Sequence, residues 1–288
     1  MSKQKNILKR SVLVAMLTAL CCAATFIQIK MPAGDMVHLG NFVMILSALL
    51  LGGLEGGIVG SLGMGIYDLI YYSSKPTTIV RTLILKFIVG FIVGTLFRLF
   101  IKKDLNARKT LFILSGILLL IGVGSTIVFA LGDFSSFGFN EGLSSIHYIA
   151  GKTVKISLYI PIFAILFGIT SLVAAILSKK ISKRSKAVLL AVIFAIFVNI
   201  IGEFLLRFLL EGLFTTGFEV SIVTATSKIP GSMITGFVSV LLTIFIYEPV
   251  YFALKKASIV EDLDSSQEED FDFDVETKDS NNSNLIHE

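Results

Sequence analysis

The chain has 288 residues, 54% of them hydrophobic, and a mean hydropathy of +0.84. A soluble domain of this length cannot cover so much apolar surface, so a water-soluble globular enzyme or binding domain is excluded. The net charge of +4 conceals a split: residues 1–260 hold 24 Lys/Arg and 10 Asp/Glu, whereas residues 261–288 hold one Lys and 11 Asp/Glu.

Apolar runs near the roughly 20 residues needed to cross about 30 Å of hydrocarbon recur along the chain. They are continuous rather than alternating, which argues for helices and against a β-barrel. The expected fold is an all-α polytopic membrane protein. Lys3, Lys5, Lys9 and Arg10 lead into the first run like the start of a signal peptide. That run continues to about Ile29 without a small-x-small cleavage site, so it reads as a first span, 11–29. Within it, Ala15, Ala19 and Ala23 form a small-residue stripe among bulky Met16, Leu17 and Leu20. The second span, 39–53, is short enough to be tilted or partly re-entrant. The third, 55–72, follows and contains most of a glycine series at 53, 56, 57, 60, 63 and 65, and the fourth, 79–101, has Gly90-x-x-x-Gly94. Such stripes let helix backbones approach closely, and the glycine sets read as internal packing. The remaining spans are 110–131, 156–178, 187–212 and 229–254, giving eight.

Residues 1–260 are thus expected to form the membrane domain. Residues 261–288 have the composition of a disordered acidic tail, either solubilising or a docking segment for a basic partner. Cys21 and Cys22 are adjacent in an apolar run, and His38, His147 and His287 are scattered. Neither pattern suggests a disulfide framework or a metal centre, and no cofactor and no nucleic-acid partner is expected.

Basic residues set the orientation. Sixteen Lys/Arg flank one set of span ends and six (Lys30, Lys75, Arg81, Lys152, Lys155 and Lys228) flank the other. Both termini are therefore expected on the cytoplasmic side of the cell membrane. At about 1.5 Å per residue, Asp68, Lys86, Glu203 and Arg207 then fall in the outer half of the bilayer, with Asn199 near its middle. Intramembrane charge is costly and marks function by default. Asn199, Glu203 and Arg207 are spaced i, i+4, i+8 and share one helical stripe. His38 and Asn41 enter from the outer end of the second span; Thr224, Ser227 and Lys228 precede the last. These residues suggest a polar pocket open to the outside. A structural alternative stands beside it, in which Glu203–Arg207 is a salt bridge within one helix and Asp68–Lys86 a pair that locks two helices.

No ATPase motif is present: Gly151-Lys152-Thr153 has Ile146 where a Walker loop needs its first glycine. Glu203-x-x-x-Arg207 resembles part of the Glu-Glu-x-x-x-Arg signature of intramembrane CAAX-type proteases. Gly202 replaces the second Glu, however, and no His lies deep in a span. An enzyme is not expected.

Several segments resemble the S components of energy-coupling factor (ECF) transporters, the vitamin-capturing membrane subunits. They are His38-Leu-Gly-Asn41, Leu46 to Gly52, Gly56-Gly57 to Asp68, Lys86 with Gly90 and Gly94, and Lys228-Ile-Pro230-Gly231 through Gly236 to Tyr251 and Lys256. The resemblance covers about 200 residues. It implies a six-helix core and partners comprising one transmembrane coupling subunit and two ATPases. It also implies that the Ala15/Ala19/Ala23 stripe meets the coupling subunit. The chain departs from the pattern at residues 104–182, which read as an inserted helical hairpin. The expected function is capture of a water-soluble vitamin from outside for ATP-driven uptake. Asn199, Glu203 and Arg207 would orient it, Lys86 and Asp68 would support them, and the loops 30–38 and 213–228 would close above. The His-Leu-Gly-Asn segment is similar to that of S components for thiamine precursors or pyridoxine, and less so to that for riboflavin. A stand-alone secondary transporter is the alternative; it calls for internal repeats and a midplane site, neither of which the sequence suggests.

Overall fold

The computed structural model describes residues 2–30, 36–102, 107–131, 146–149, 152–155, 159–177 and 182–257. The acidic segment 261–288 and residues 31–35 of the 30–38 loop lie outside them. In chain order the elements are α1 (Ser2–Phe26), β1 (Gln28–Lys30), β2 (Met36–His38), α2 (Gly40–Leu51), α3 (Gly53–Tyr71), α4 (Pro76–Lys102) and α5 (Ala107–Leu131). There follow β3 (Ile146–Ile149), β4 (Lys152–Lys155), α6 (Tyr159–Leu177), α7 (Lys183–Phe214), α8 (Phe218–Ser227) and α9 (Ile229–Lys256). The chain divides into two compact units, residues 1–247 and 248–288.

The protein is an all-α polytopic membrane protein. Among the described residues five stretches are long and apolar enough to cross a bilayer: Ile7–Phe26, Pro76–Lys102, Arg108–Ile127, Lys183–Phe214 and Thr224–Lys256. Gly40–Leu51 and Pro161–Ile176 are shorter apolar helices. Each of the eight expected spans falls on one of α1–α7 and α9. The first ends earlier than expected, because Gln28–Lys30 leave the helix to pair antiparallel with Met36–His38.

Glycine decides how the first four helices meet. A Cβ on Gly90 of α4 would lie 2.6 Å from the Gly56 carbonyl carbon, and one on Gly94 would lie 2.5 Å from that of Gly52. The two backbones therefore touch with no side chain between them. Ser61 Oγ donates to the Leu83 carbonyl at 2.8 Å along the same seam. The α2–α3 joint is a single residue, Gly52, at φ +114, where an L side chain is strained. Helix α2 ends there with unsatisfied carbonyls. Arg10 of α1 and Arg98 of α4 each donate to the Leu51 carbonyl at 2.7 Å, and Arg10 also pairs with Glu55 at 2.6 Å. This clamp joins α1 to α4 at one end of the bundle and leaves the other end to the polar residues.

The region expected as an inserted hairpin contains α5 and α6, with β3 and β4 antiparallel between them. Gly122 and Gly168 let these helices close on one another: a Cβ on Gly122 would lie 2.6 Å from the Ile165 side chain, and one on Gly168 would lie 2.9 Å from that of Leu119. Phe167 of α6 meets Phe197 of α7 and Phe237 of α9, with ring centroids 6.3 and 5.5 Å apart.

Two expectations need correction. The 213–228 segment is not a loop: α7 runs to Phe214, and after Gly217 (φ +77) the chain forms α8. Phe218 packs on Phe208, at a centroid distance of 5.2 Å, and over Gly212, so the short helix is held against the one before it. The described ends of the 30–38 loop are likewise not irregular but belong to the β1–β2 hairpin.

Candidate functional site: a charged cavity between seven helices

A cavity of about 400 Å³ lies at the end of the bundle opposite the arginine clamp. Its lining comes from α1 (Thr25), β2 (Met36, His38), α2 (Asn41), α3, α4, α7, α8 and α9. No described residue of α5 or α6 contributes. The cavity runs from exposed Lys75 in the α3–α4 turn to Lys86 and Asn199, both buried. Five cations (Lys75, Arg81, Lys86, Arg207, Lys228) and three carboxylates (Asp68, Glu203, Glu211) face it. The residues expected from sequence (Asn199, Glu203, Arg207, Lys86, Asp68, His38, Asn41, Ser227 and Lys228) all line this one cavity.

Asn199, Glu203, Arg207 and Glu211 recur every four residues along α7, which puts them in one row about 18 Å long. Arg207 bonds both of its neighbours, with Nη2 to Glu203 Oε1 at 3.0 Å and Nη1 to Glu211 Oε1 at 2.9 Å. Arg81 reaches the same two carboxylates from α4: Nε to Glu203 at 3.2 Å and Nη1 to Glu211 at 3.5 Å. The result is a closed quartet of two guanidiniums and two carboxylates. Charge balance within it offsets much of the desolvation that burying four ions costs. Thr224 Oγ1 donates to Glu211 Oε2 at 3.0 Å, which ties α8 to the quartet.

Deeper in the cavity, Lys86 Nζ donates to Asn199 Oδ1 at 2.6 Å. Among the described residues no ion pair joins Asp68 to Lys86, so that helix-locking pair is not formed. Lys86 lies nearer α7, and its partner is a neutral amide. The Glu203–Arg207 bridge does form, but as one side of a quartet that spans two helices.

The β1–β2 hairpin is anchored by Tyr67. Gln28 Nε2 donates to the Tyr67 hydroxyl at 2.8 Å, and that hydroxyl lies 3.9 Å from Met36 Sδ. Phe26 and Tyr71 pack on the same ring, with centroids 5.1 and 4.8 Å away. Met36 and His38 thereby reach the lining. Burial, and then the neighbouring Lys86 ammonium, push the His38 imidazole down to about 3. His38 is therefore neutral at ordinary pH, and its Nδ1 has no hydrogen-bond partner.

Sequence reasoning missed Arg81 and Glu211 as cavity residues. Glu211 was within reach, since it is the next member of the four-residue series. Arg81 counted only as a flanking cation, yet it is 6% exposed. Its position five residues before Lys86 in the same helix is the one signal that was available. Ala15, Ala19 and Ala23 lie on an exposed face of α1, beside Met16 and Leu20 at 64% and 52% exposure.

Residues 5–146 match the family model described as "ECF-type riboflavin transporter, S component". The match covers α1 to α5 and ends at the first residue of β3, so the α7 row of the cavity lies outside it. No curated protein and no solved structure matches the chain. The match, over just under half of the chain, supports an S component of the energy-coupling factor type for this membrane-embedded helical protein.

Proposed function

We propose that this S component captures one small, polar, water-soluble vitamin at the outer face of the cell membrane. It then hands the ligand to a coupling subunit and two ATPases, with both of its own termini in the cytoplasm. The observation that carries this reading is the 400 Å³ cavity lined with paired charges and buried amides. Polar groups at such depth bind strongly when matched and penalise a ligand that leaves them unpaired. In this reading Asn199, Glu203, Arg207 and Lys86 contact the ligand with Asn41. Asp68, Ser227 and Lys228 complete the wall, and His38 enters with the hairpin. Riboflavin, named in the matched family's description, is the first ligand to test, ahead of the thiamine precursor or pyridoxine that the His-Leu-Gly-Asn segment favours.

The exposed Ala15/Ala19/Ala23 face of α1 is where the coupling subunit docks, since small side chains admit a second helix backbone. Residues 104–182 act as an addition to a six-helix core, a reading supported by a cavity to which no described residue of α5 or α6 contributes.

The test is native mass spectrometry of gently purified protein, followed by co-expression with an ECF coupling module. A retained vitamin and a stable complex that Ala19→Trp disrupts are expected. Ion-gradient uptake by the chain alone in proteoliposomes would overturn the reading in favour of a secondary transporter.

A further inference from the structure

The arginine clamp, at the end of the bundle opposite the cavity, carries more charge than it balances. Arg10 of α1 and Arg98 of α4 each donate one Nη2 hydrogen to the Leu51 carbonyl at 2.7 Å. Their two nitrogens are therefore no more than 5.4 Å apart, twice that length. Like charges so close repel, and Glu55 pairs with Arg10 alone, at 2.6 Å. Among the described residues no carboxylate lies within ion-pair distance of Arg98. The three side chains together hold a net charge of +1. Each guanidinium has five N–H donors, and those not given to Leu51 or Glu55 are open to a further acceptor. Both arginines are exposed, and the Arg98 guanidinium lies over Gly52, where a Cβ would meet its Nη2 at 2.5 Å.

The depth of the pair is set by α4. Arg98 follows Arg81 by 17 residues, about 26 Å of helix. With Arg81 near one surface of a hydrocarbon layer about 30 Å thick, Arg98 sits near the other, at the level of lipid headgroups. Phe91 and Phe87 precede Arg98 by 7 and 11 residues and so share its face of α4. Their rings stack at a centroid distance of 6.3 Å, and both are exposed, as is Leu54 of α3 beside Glu55. A pair of cations thus heads a lane of apolar side chains that points into the membrane.

We propose that Arg10 and Arg98 bind the phosphodiester of one anionic phospholipid, with an acyl chain along Phe91 and Phe87. The two free phosphate oxygens accept from the two guanidiniums, and the single negative charge balances the +1 of the site. Phosphatidylcholine has the same phosphodiester, but its choline cation would lie beside the arginines, so charge selects the anionic headgroup. In the orientation proposed above, this end faces the cytoplasmic leaflet, whose surface is negative. The site lies outside the cavity and uses none of its residues.

The experiment is native mass spectrometry of the isolated chain, released from micelles that contain equimolar phosphatidylglycerol and phosphatidylcholine. One retained phosphatidylglycerol is expected, with a preference over phosphatidylcholine of at least about tenfold. Arg98→Gln should abolish the preference. Lys183→Gln, which removes a cation at the start of α7 on the same side of the membrane, should leave it intact. Arg98→Lys keeps the charge and a donor for Leu51, which guards against a folding defect, and should fall between wild type and Arg98→Gln. Equal retention of the two lipids by the wild type overturns the proposal, and that arm needs no variant. An equal loss in Lys183→Gln also overturns it, as an effect of general surface charge. A chain indifferent to lipid whose complex with a coupling subunit is lost in Arg98→Gln overturns it in favour of a protein contact. Vitamin retention is read in the same spectra and should not change in Arg98→Gln, so failure of the lipid site and failure of the capture reading are told apart.

Discussion

Arg81 of α4 and Arg207 of α7 share one carboxylate oxygen, Glu203 Oε1, at 3.2 and 3.0 Å. Two like charges from different helices are held together by an anion between them, and Glu211 repeats the arrangement two turns along α7. The α4–α7 contact is therefore electrostatically conditional. Glu203→Gln leaves two guanidiniums on one carboxylate and should cost about 3 kcal/mol, the low end for breaking a buried pair because the cavity admits water. Thermal unfolding in detergent checks this. The double variant Arg81→Met with Glu203→Leu keeps Arg207–Glu211 balanced and should melt above either single variant.

Lys86 behaves differently, because its partner is neutral. Lys86→Met removes a buried charge that has no carboxylate within ion-pair distance among the described residues, so folding should change little. Vitamin binding should weaken by about 1–3 kcal/mol, the cost of losing a donor in a buried site. Paired melting and binding titrations separate the two effects. A loss of stability without a loss of affinity would show Lys86 to be a structural residue.

The glycine seam makes a steric prediction. A side chain at Gly90 meets the Gly56 backbone at 2.6 Å, and backbone cannot rotate away. Gly90→Val should cost about 1–3 kcal/mol or more. It should also abolish binding, since α4 carries Arg81 and Lys86. Gly116→Ala on α5, where a Cβ meets nothing within 4 Å, is the control and should be neutral or slightly stabilising. Size-exclusion profiles and melting curves distinguish them.

His38 gives the pH dependence. Its folded value, about 3, lies below the ordinary 6.5, so the folded state binds fewer protons than the unfolded chain between those limits. Its contribution is fully present above about pH 6.5 and is lost as the pH falls toward 3. Melting temperatures from pH 7 to 4 should decline less steeply in His38→Gln than in the wild type. Identical slopes would mean the imidazole is not held neutral.

Tyr67 links the hairpin to α3 through its hydroxyl. Tyr67→Phe keeps the ring contacts with Phe26 and Tyr71 but drops the Gln28 bond, a change of about 0.5–1.5 kcal/mol. Faster hydrogen exchange at Gln28–Lys30 and Met36–His38 is expected, with quicker ligand release. Unchanged exchange would show that the rings alone hold the hairpin.

Much of this was legible in the residues. Apolar runs of bilayer length dictate helices, because lipid offers backbone groups no other partner. The four-residue spacing of Asn199, Glu203 and Arg207 dictates a polar row on one face. The glycine series predicts a close seam between helices. Sequence alone therefore determined the class of the protein, its helices and most of one cavity wall. Only the tertiary structure decided which wall faces which. Lys86 could have met Asp68 or Asn199 with equal local logic, and the rotation of α4 about its glycine contacts chose Asn199. Arg81 passed for a flanking cation until the crossing of α4 and α7 put it opposite Glu203 and Glu211. Periodicity describes a single helix, whereas partners across a cavity depend on how far each helix is turned and shifted against the next. That is fixed by where Gly90 and Gly94 let backbones touch.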